Sequence, residues 1–102
     1  MAVSIILKNH IEYNTGSVVS KTLKQNPAGS ITLFAFDAGQ GLSEHSAPFD
    51  AVVQVIDGEG HFIIGGVEHV LKEGEMIIMP ANVPHAVNAR QKFKMMLIML
   101  KA

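Results

Sequence analysis

Apolar residues in this chain come in short alternating or continuous runs, and glycine, asparagine or proline interrupts them about every ten residues. Runs rich in β-branched residues and bounded by turn residues are typical of strands. The pattern therefore predicts strands at 18–23, 31–36, 51–56, 61–64, 67–71, 75–79, 85–87 and 93–100. No segment shows helical periodicity beyond a single turn. Short strands at this spacing predict an all-β sandwich or barrel.

The last predicted strand is apolar on both faces, since residues 95–100 read Met-Met-Leu-Ile-Met-Leu. One face of an antiparallel sheet usually contacts water. Such a strand is either central in a sandwich or covered by a second subunit. We favour the partner, because only 17% of the residues are charged. The sequence therefore predicts a homodimer with an N-terminal arm, residues 1–15, that could exchange between subunits.

Composition narrows the class of protein. The 8 basic and 9 acidic residues give a net charge of −1, which argues against binding to nucleic acid. There is no cysteine, so disulfides, thiolate nucleophiles and thiolate metal sites are excluded. No apolar run approaches the roughly 18 residues that cross a bilayer, and the opening segment lacks the basic start of a signal peptide. We expect a cytoplasmic protein with no membrane partner.

Two histidines follow turn-rich loops that lead into predicted strands. His45 lies in the segment 39–58, and His85 ends the segment 74–85. Imidazoles in these positions can point into the mouth of a barrel, where small ligands bind. Two histidines on facing strands could also hold a metal ion through neutral nitrogens.

These two segments resemble the two motifs of the cupin superfamily. The positions that match are Gly39, His45 and Gly58 in the first motif and Gly74, Pro80 and His85 in the second. Fifteen residues separate the motifs, a spacing similar to that of compact microbial cupins. The resemblance implies one cupin domain over residues 1–102, folded as a jelly-roll barrel, also called a double-stranded β-helix.

The chain departs from the family at the metal ligands. The second histidine of the first motif is Ala47, and the glutamate position is Ala51, or Val52 under the longer spacing. The family's cage of three histidines and one glutamate is thus reduced to His45 and His85. A divalent transition metal (Zn, Fe, Mn or Ni) would need a further ligand. The candidates are Gln54, His61, Asp50 and Glu44.

The residues predicted to bind substrate are the two histidines and five further residues. Gln54 is a polar residue in an otherwise apolar strand, so it needs hydrogen-bond partners if it is buried. Four large apolar residues would line the cavity if they face inward: Phe34, Phe36, Phe49 and Met76. His61 and His69 are expected at the surface or at a sheet edge.

Three functions are consistent with these features. The first is a cupin that binds a small molecule, with or without a metal held by His45 and His85. The second is a cupin enzyme of the dioxygenase, isomerase or cyclase class, whose metal-free form would use His85 as a general base on an enolisable substrate. The third is a non-catalytic dimeric regulatory module, which predicts no cavity larger than a water cluster.

Overall fold

The computed structural model describes residues 2–101; Met1, the first residue of the predicted arm, and Ala102 lie outside this range. A short 3-10 helix, Leu7–Asn9, precedes the strands. The strands are β1 Val18–Asn26, β2 Gly29–Phe36, β3 Gly41–His45, β4 Asp50–Asp57, β5 Glu59–Ile64, β6 Val67–Lys72, β7 Met76–Met79, β8 His85–Asn88 and β9 Phe93–Leu100. Within residues 2–101, no helix has the length and apolar character needed to cross a membrane.

The strands form two antiparallel sheets that enclose one core. The larger sheet has the order β1-β2-β9-β4-β7, and the smaller has the order β3-β8-β5-β6. The prediction of an all-β jelly-roll barrel is confirmed. Strand β9 lies at the centre of the larger sheet, between β2 and β4. Its odd-numbered residues from Phe93 to Met99 point toward the smaller sheet, whereas Met96, Ile98 and Leu100 point outward.

One strand was not predicted. The glycines in residues 39–41 indicated a loop, yet Gly41 begins β3, which pairs with β8. A Cβ atom at Gly41 would overlap the backbone carbonyl oxygen of Val87. Glycine is needed here because the two strand backbones approach each other closely.

Aromatic rings fill the end of the barrel away from the predicted pocket. Phe93 is fully buried, and its ring stacks on Phe36 with centroids 4.8 Å apart. It also meets Phe62 edge-on at 5.9 Å. A Cβ atom on Gly60 would lie 2.6 Å from the Phe93 ring, so the missing side chain makes room for the ring. These contacts fill this end of the barrel with aromatic rings.

The N-terminal segment packs over the outer face of the larger sheet. Ile11 is buried in a second cluster that includes Leu33 of β2. The hydroxyl of Tyr13 donates a hydrogen bond of 2.6 Å to the Asp57 carboxylate. The buried ammonium group of Lys94 donates to the backbone carbonyl of residue 8. The segment therefore covers part of the apolar outer face of its own sheet.

Candidate functional site

The structure brings the two histidines together at the mouth of the barrel. His45 ends β3 and is paired in register with His85, the first residue of β8. The loop after β3 is joined to the loop before β8, because the amide of Asn82 donates a 2.7 Å hydrogen bond to the Ala47 carbonyl. Asn82 adopts a left-handed conformation with φ 65°, which asparagine tolerates better than most residues. The turn between Pro80 and Pro84 is therefore tied to the first motif.

Backbone carbonyls orient both imidazole rings. Nδ1 of His45 lies 2.7 Å from the Ser43 carbonyl oxygen, and Nδ1 of His85 lies 3.2 Å from that of Val83. A carbonyl oxygen can only accept, so each Nδ1 carries the proton that it donates. In the neutral rings each Nε2 is then left with a lone pair. The two Nε2 atoms are 3.1 Å apart, so when both rings are neutral with the proton on Nδ1, two acceptors face each other.

Burial favours the neutral form of His85. The residue is only 6% exposed. Burial lowers the pKa of the His85 imidazole, the hydrogen bond to the Val83 carbonyl raises it, and the nearby His45 ring lowers it again, with a net shift below the ordinary value of 6.5. At neutral pH the Nε2 lone pair of His85 is therefore available to a donor or an electrophile.

A cavity of about 190 Å³ lies beside the two rings, between the sheets. Its wall is almost entirely apolar. The smaller sheet and the loop after β3 contribute Leu42, His45, Ala47, His85 and Val87. The larger sheet contributes Ala51, Met79, Met95, Leu97 and Met99. The imidazole nitrogens are the polar groups that such a wall presents to a ligand.

Five residues predicted to bind substrate do not line this cavity. Gln54 lies on the outer face of β4, because its neighbours Val53 and Val55 face the core. Met76 pairs with Gln54 and is 54% exposed on the same outer face. The three phenylalanines pack elsewhere: Phe34 and Phe36 join the aromatic end of the core, and the Phe49 ring lies 5.5 Å from the Lys101 ammonium group.

The additional metal ligands considered from the sequence also lie outside the cavity. His61 faces away from the core, since its neighbour Phe62 fills it, and its Nδ1 lies 3.8 Å from the Glu68 carboxylate. His61 is nevertheless only 9% exposed, so the expectation of a surface histidine was wrong. The Asp50 carboxylate accepts a hydrogen bond from the Ala81 amide, and Glu44 is exposed.

The donor set therefore does not fit a divalent transition metal. Within residues 2–101, no group of three or more His, Cys, Asp or Glu side chains is placed to hold a metal ion. Both Ala47 and Ala51 line the cavity, whereas Val52 points to the outer face. Ala51 is thus the residue facing the site, and it supplies no lone pair.

Sequence reasoning missed the methionines of the wall. Met79 and Met99 are the register partners of Ala51 on its two sides, so these three residues form one row across the sheet. The alternation of strand residues could have identified them once the direction of Ala51 was known. When the direction of no residue is known, the sequence of a strand that is apolar on both faces does not indicate which face points inward.

The fold and the paired histidines define a small double-stranded β-helix barrel with a pocket at one end. A family model described as a cupin domain matches residues 32–101, and the chain belongs to the cupin family.

Solved structures agree with this assignment. A conserved protein of unknown function from Streptococcus pyogenes is 33% identical, with a TM-score of 0.93 over 100% of this chain and 90% of the other. A cupin 2 conserved barrel domain protein from Leptotrichia buccalis is 43% identical over 93% of this chain but 46% of its own length, with a TM-score of 0.90. A cupin superfamily protein from Desulfitobacterium hafniense is 26% identical, with a TM-score of 0.93 over 100% of this chain and 94% of the other. The comparison with curated proteins gave no significant match.

Proposed function

We propose that this cupin binds a compact, mostly apolar small molecule that donates a hydrogen bond to the imidazole pair. The observation that carries the proposal is the 3.1 Å approach of two Nε2 atoms whose Nδ1 partners are both backbone carbonyls. Two facing acceptors without a donor are unfavourable, and a donor group from a ligand satisfies them. Removal of apolar surface from water provides the remaining binding free energy.

The size and polarity of the cavity limit the ligand. Its volume of about 190 Å³ is below the range of roughly 300–1,000 Å³ for drug-sized molecules. An apolar cavity of roughly 150 Å³ is large enough to bind benzene. A single ring or a short branched chain with one hydroxyl group matches both the volume and the paired acceptors.

Replacing His85 by alanine is expected to weaken the binding of phenol about fivefold or more, because a hydrogen bond to the ring is worth about 1 kcal/mol or more. The measurement is an NMR titration of metal-free protein, with phenol and toluene as probes of matched shape. Phenol should shift the side-chain nitrogen signals of His45 and His85, and toluene should bind more weakly.

His69→Ala is the matched control, because His69 lies on β6 and does not line the cavity. This variant should bind phenol as the parent protein does. Equal affinity of the His85→Ala variant and the parent protein, or failure of phenol to reach the cavity, would contradict the proposal.

The metal-free enzyme hypothesis retains one supporting observation. The lowered pKa of His85 leaves its Nε2 free to accept a proton at neutral pH. A bound ligand with an acidic C–H group next to a carbonyl would lie against this base. The regulatory-module hypothesis, by contrast, predicts no cavity of this size, so the cavity counts against it.

We also propose that the protein is a homodimer that buries the part of the outer sheet face left open by the N-terminal segment. This outer apolar face consists of Val52, Met76, Ile78, Ile98 and Leu100, of which Met76, Ile78 and Leu100 are at least half exposed. These five side chains are apolar, and the Asp50 carboxylate at their edge accepts a hydrogen bond from the Ala81 amide.

Ile78→Lys is expected to convert the dimer into a monomer, because each subunit would bury an unpaired ammonium group in the interface. Light scattering after size-exclusion chromatography measures the mass directly. Val67→Lys is the matched control, since Val67 is 59% exposed, compared with 55% for Ile78, but lies on β6 of the other sheet. A parent protein that is already monomeric, or a dimer that tolerates Ile78→Lys, would refute this interface.

A further inference from the structure

Methionine side chains share the cavity wall with the paired imidazoles. Met79 and Met99 flank Ala51 on the two neighbouring strands, and Met95 lies two residues before Leu97 on the same inward face of β9. Met79 and Met95 are almost completely buried. Three methionine side chains therefore line the same cavity as the two imidazole rings.

The charge and softness of these donors select one kind of metal ion. Neutral imidazole and thioether groups are soft or borderline ligands, and thioethers favour Cu(I) over hard divalent ions. None of the described residues that line the cavity is a carboxylate. Moving an ion from water into an apolar cavity is costly, and the electrostatic cost rises with the square of its charge. A monovalent ion meets a smaller barrier here than any divalent ion.

We propose that this cavity binds Cu(I), with His45 and His85 supplying nitrogen and the methionines of the larger sheet supplying sulfur. The proposal rests on the proposed function, because the ion occupies the same pocket and satisfies the same lone pairs as the donor of an organic ligand. It differs from that function in requiring Met79 and Met99, which an organic donor does not need. It also accounts for alanine, rather than glutamate, at position 51.

The experiment is an anaerobic competition of the full-length protein with the Cu(I)–bicinchoninate complex. The parent protein should take up one equivalent of Cu(I), and it should bind Zn²⁺, Mn²⁺ and Ni²⁺ far more weakly. The variant with both Met79→Leu and Met99→Leu should lose at least about tenfold in Cu(I) affinity. Loss of a residue that only supports a metal ligand already lowers metal affinity about tenfold, and loss of a ligand should lower it at least as much. Leucine keeps the side-chain volume, so the barrel should remain folded.

Met76→Leu is the matched control, because Met76 is exposed on the outer face and should not affect Cu(I) binding. X-ray absorption of the loaded parent protein gives a second readout, in which both nitrogen and sulfur scatterers are expected. Unchanged Cu(I) affinity in the double variant, absence of sulfur scattering, or equally tight binding of Zn²⁺ would each overturn the inference.

The two proposals fail separately. If the metal-free protein binds phenol in a His85-dependent way but takes up no Cu(I), the copper inference is lost and the pocket function stands. If the protein binds Cu(I) but not phenol, the proposal of an organic ligand is rejected and the proposal of a Cu(I) site is kept.

Discussion

The variant with Ala47→His and Ala51→Glu is expected to bind Zn²⁺ on the order of 100-fold more tightly than the parent protein, because it restores four donors around one point. Both alanines line the cavity beside His45 and His85. The resemblance to the cupin motifs places a histidine and a glutamate at these two positions. A carboxylate also lowers the electrostatic cost of a divalent ion in an apolar site.

Calorimetric titration of untagged, chelator-treated protein measures this gain. Ala51 is 2% exposed, so the new carboxylate should destabilise the metal-free variant, and Zn²⁺ should restore its melting temperature. The control for the second substitution is Val52→Glu in the Ala47→His background. Val52 points to the outer face, so this variant should gain no such affinity. Equal Zn²⁺ affinity of the two double variants would show that the cavity does not define the site.

Replacing Phe93 by alanine is expected to lower the free energy of unfolding by about 3–5 kcal/mol, the usual loss for a large aromatic side chain in a core. Phe93 is fully buried between Phe36 and Phe62, and Gly60 leaves no side chain that could move into the space. A domain of this size is stable by about 5–15 kcal/mol, so the loss is a large part of the total.

Denaturant unfolding followed by circular dichroism measures the change. Phe49→Ala is the matched control, because Phe49 is only half-buried, in the loop before β4. Phe49→Ala should lower the free energy of unfolding much less than Phe93→Ala does. Similar losses for the two variants would show that the aromatic end of the barrel is not the main source of stability.

Strand positions were largely predictable from the sequence, because β-branched runs between glycine turns report local structure. β3 was the exception: the glycines around Gly41 have the composition of a loop, and the need for glycine comes from the distant backbone of Val87. The hydrogen bond from Tyr13 to Asp57 could not be predicted, because it joins residues 44 positions apart and leaves no local signal.

The two histidines of the candidate site could be predicted from the sequence, whereas the residues of the cavity wall could not. Motif spacing placed His45 and His85, and pairing in register brings them together. The direction of a strand residue depends on the register of the whole sheet, and a shift of one position reverses it. For this reason Gln54 was placed inside although it faces outward, and the methionines beside Ala51 were missed.

The central position of β9 has a consequence for biosynthesis. β2 and β4 do not pair with each other; both pair with β9, whose residues come more than 35 positions after the end of β4. Until residues 93–100 have left the ribosome, both strands present unsatisfied backbone groups on one side. Cotranslational folding of the larger sheet is therefore blocked until late in synthesis. The nascent chain should engage holdase chaperones, and refolding should be slow, as is usual for topologies dominated by distant pairings.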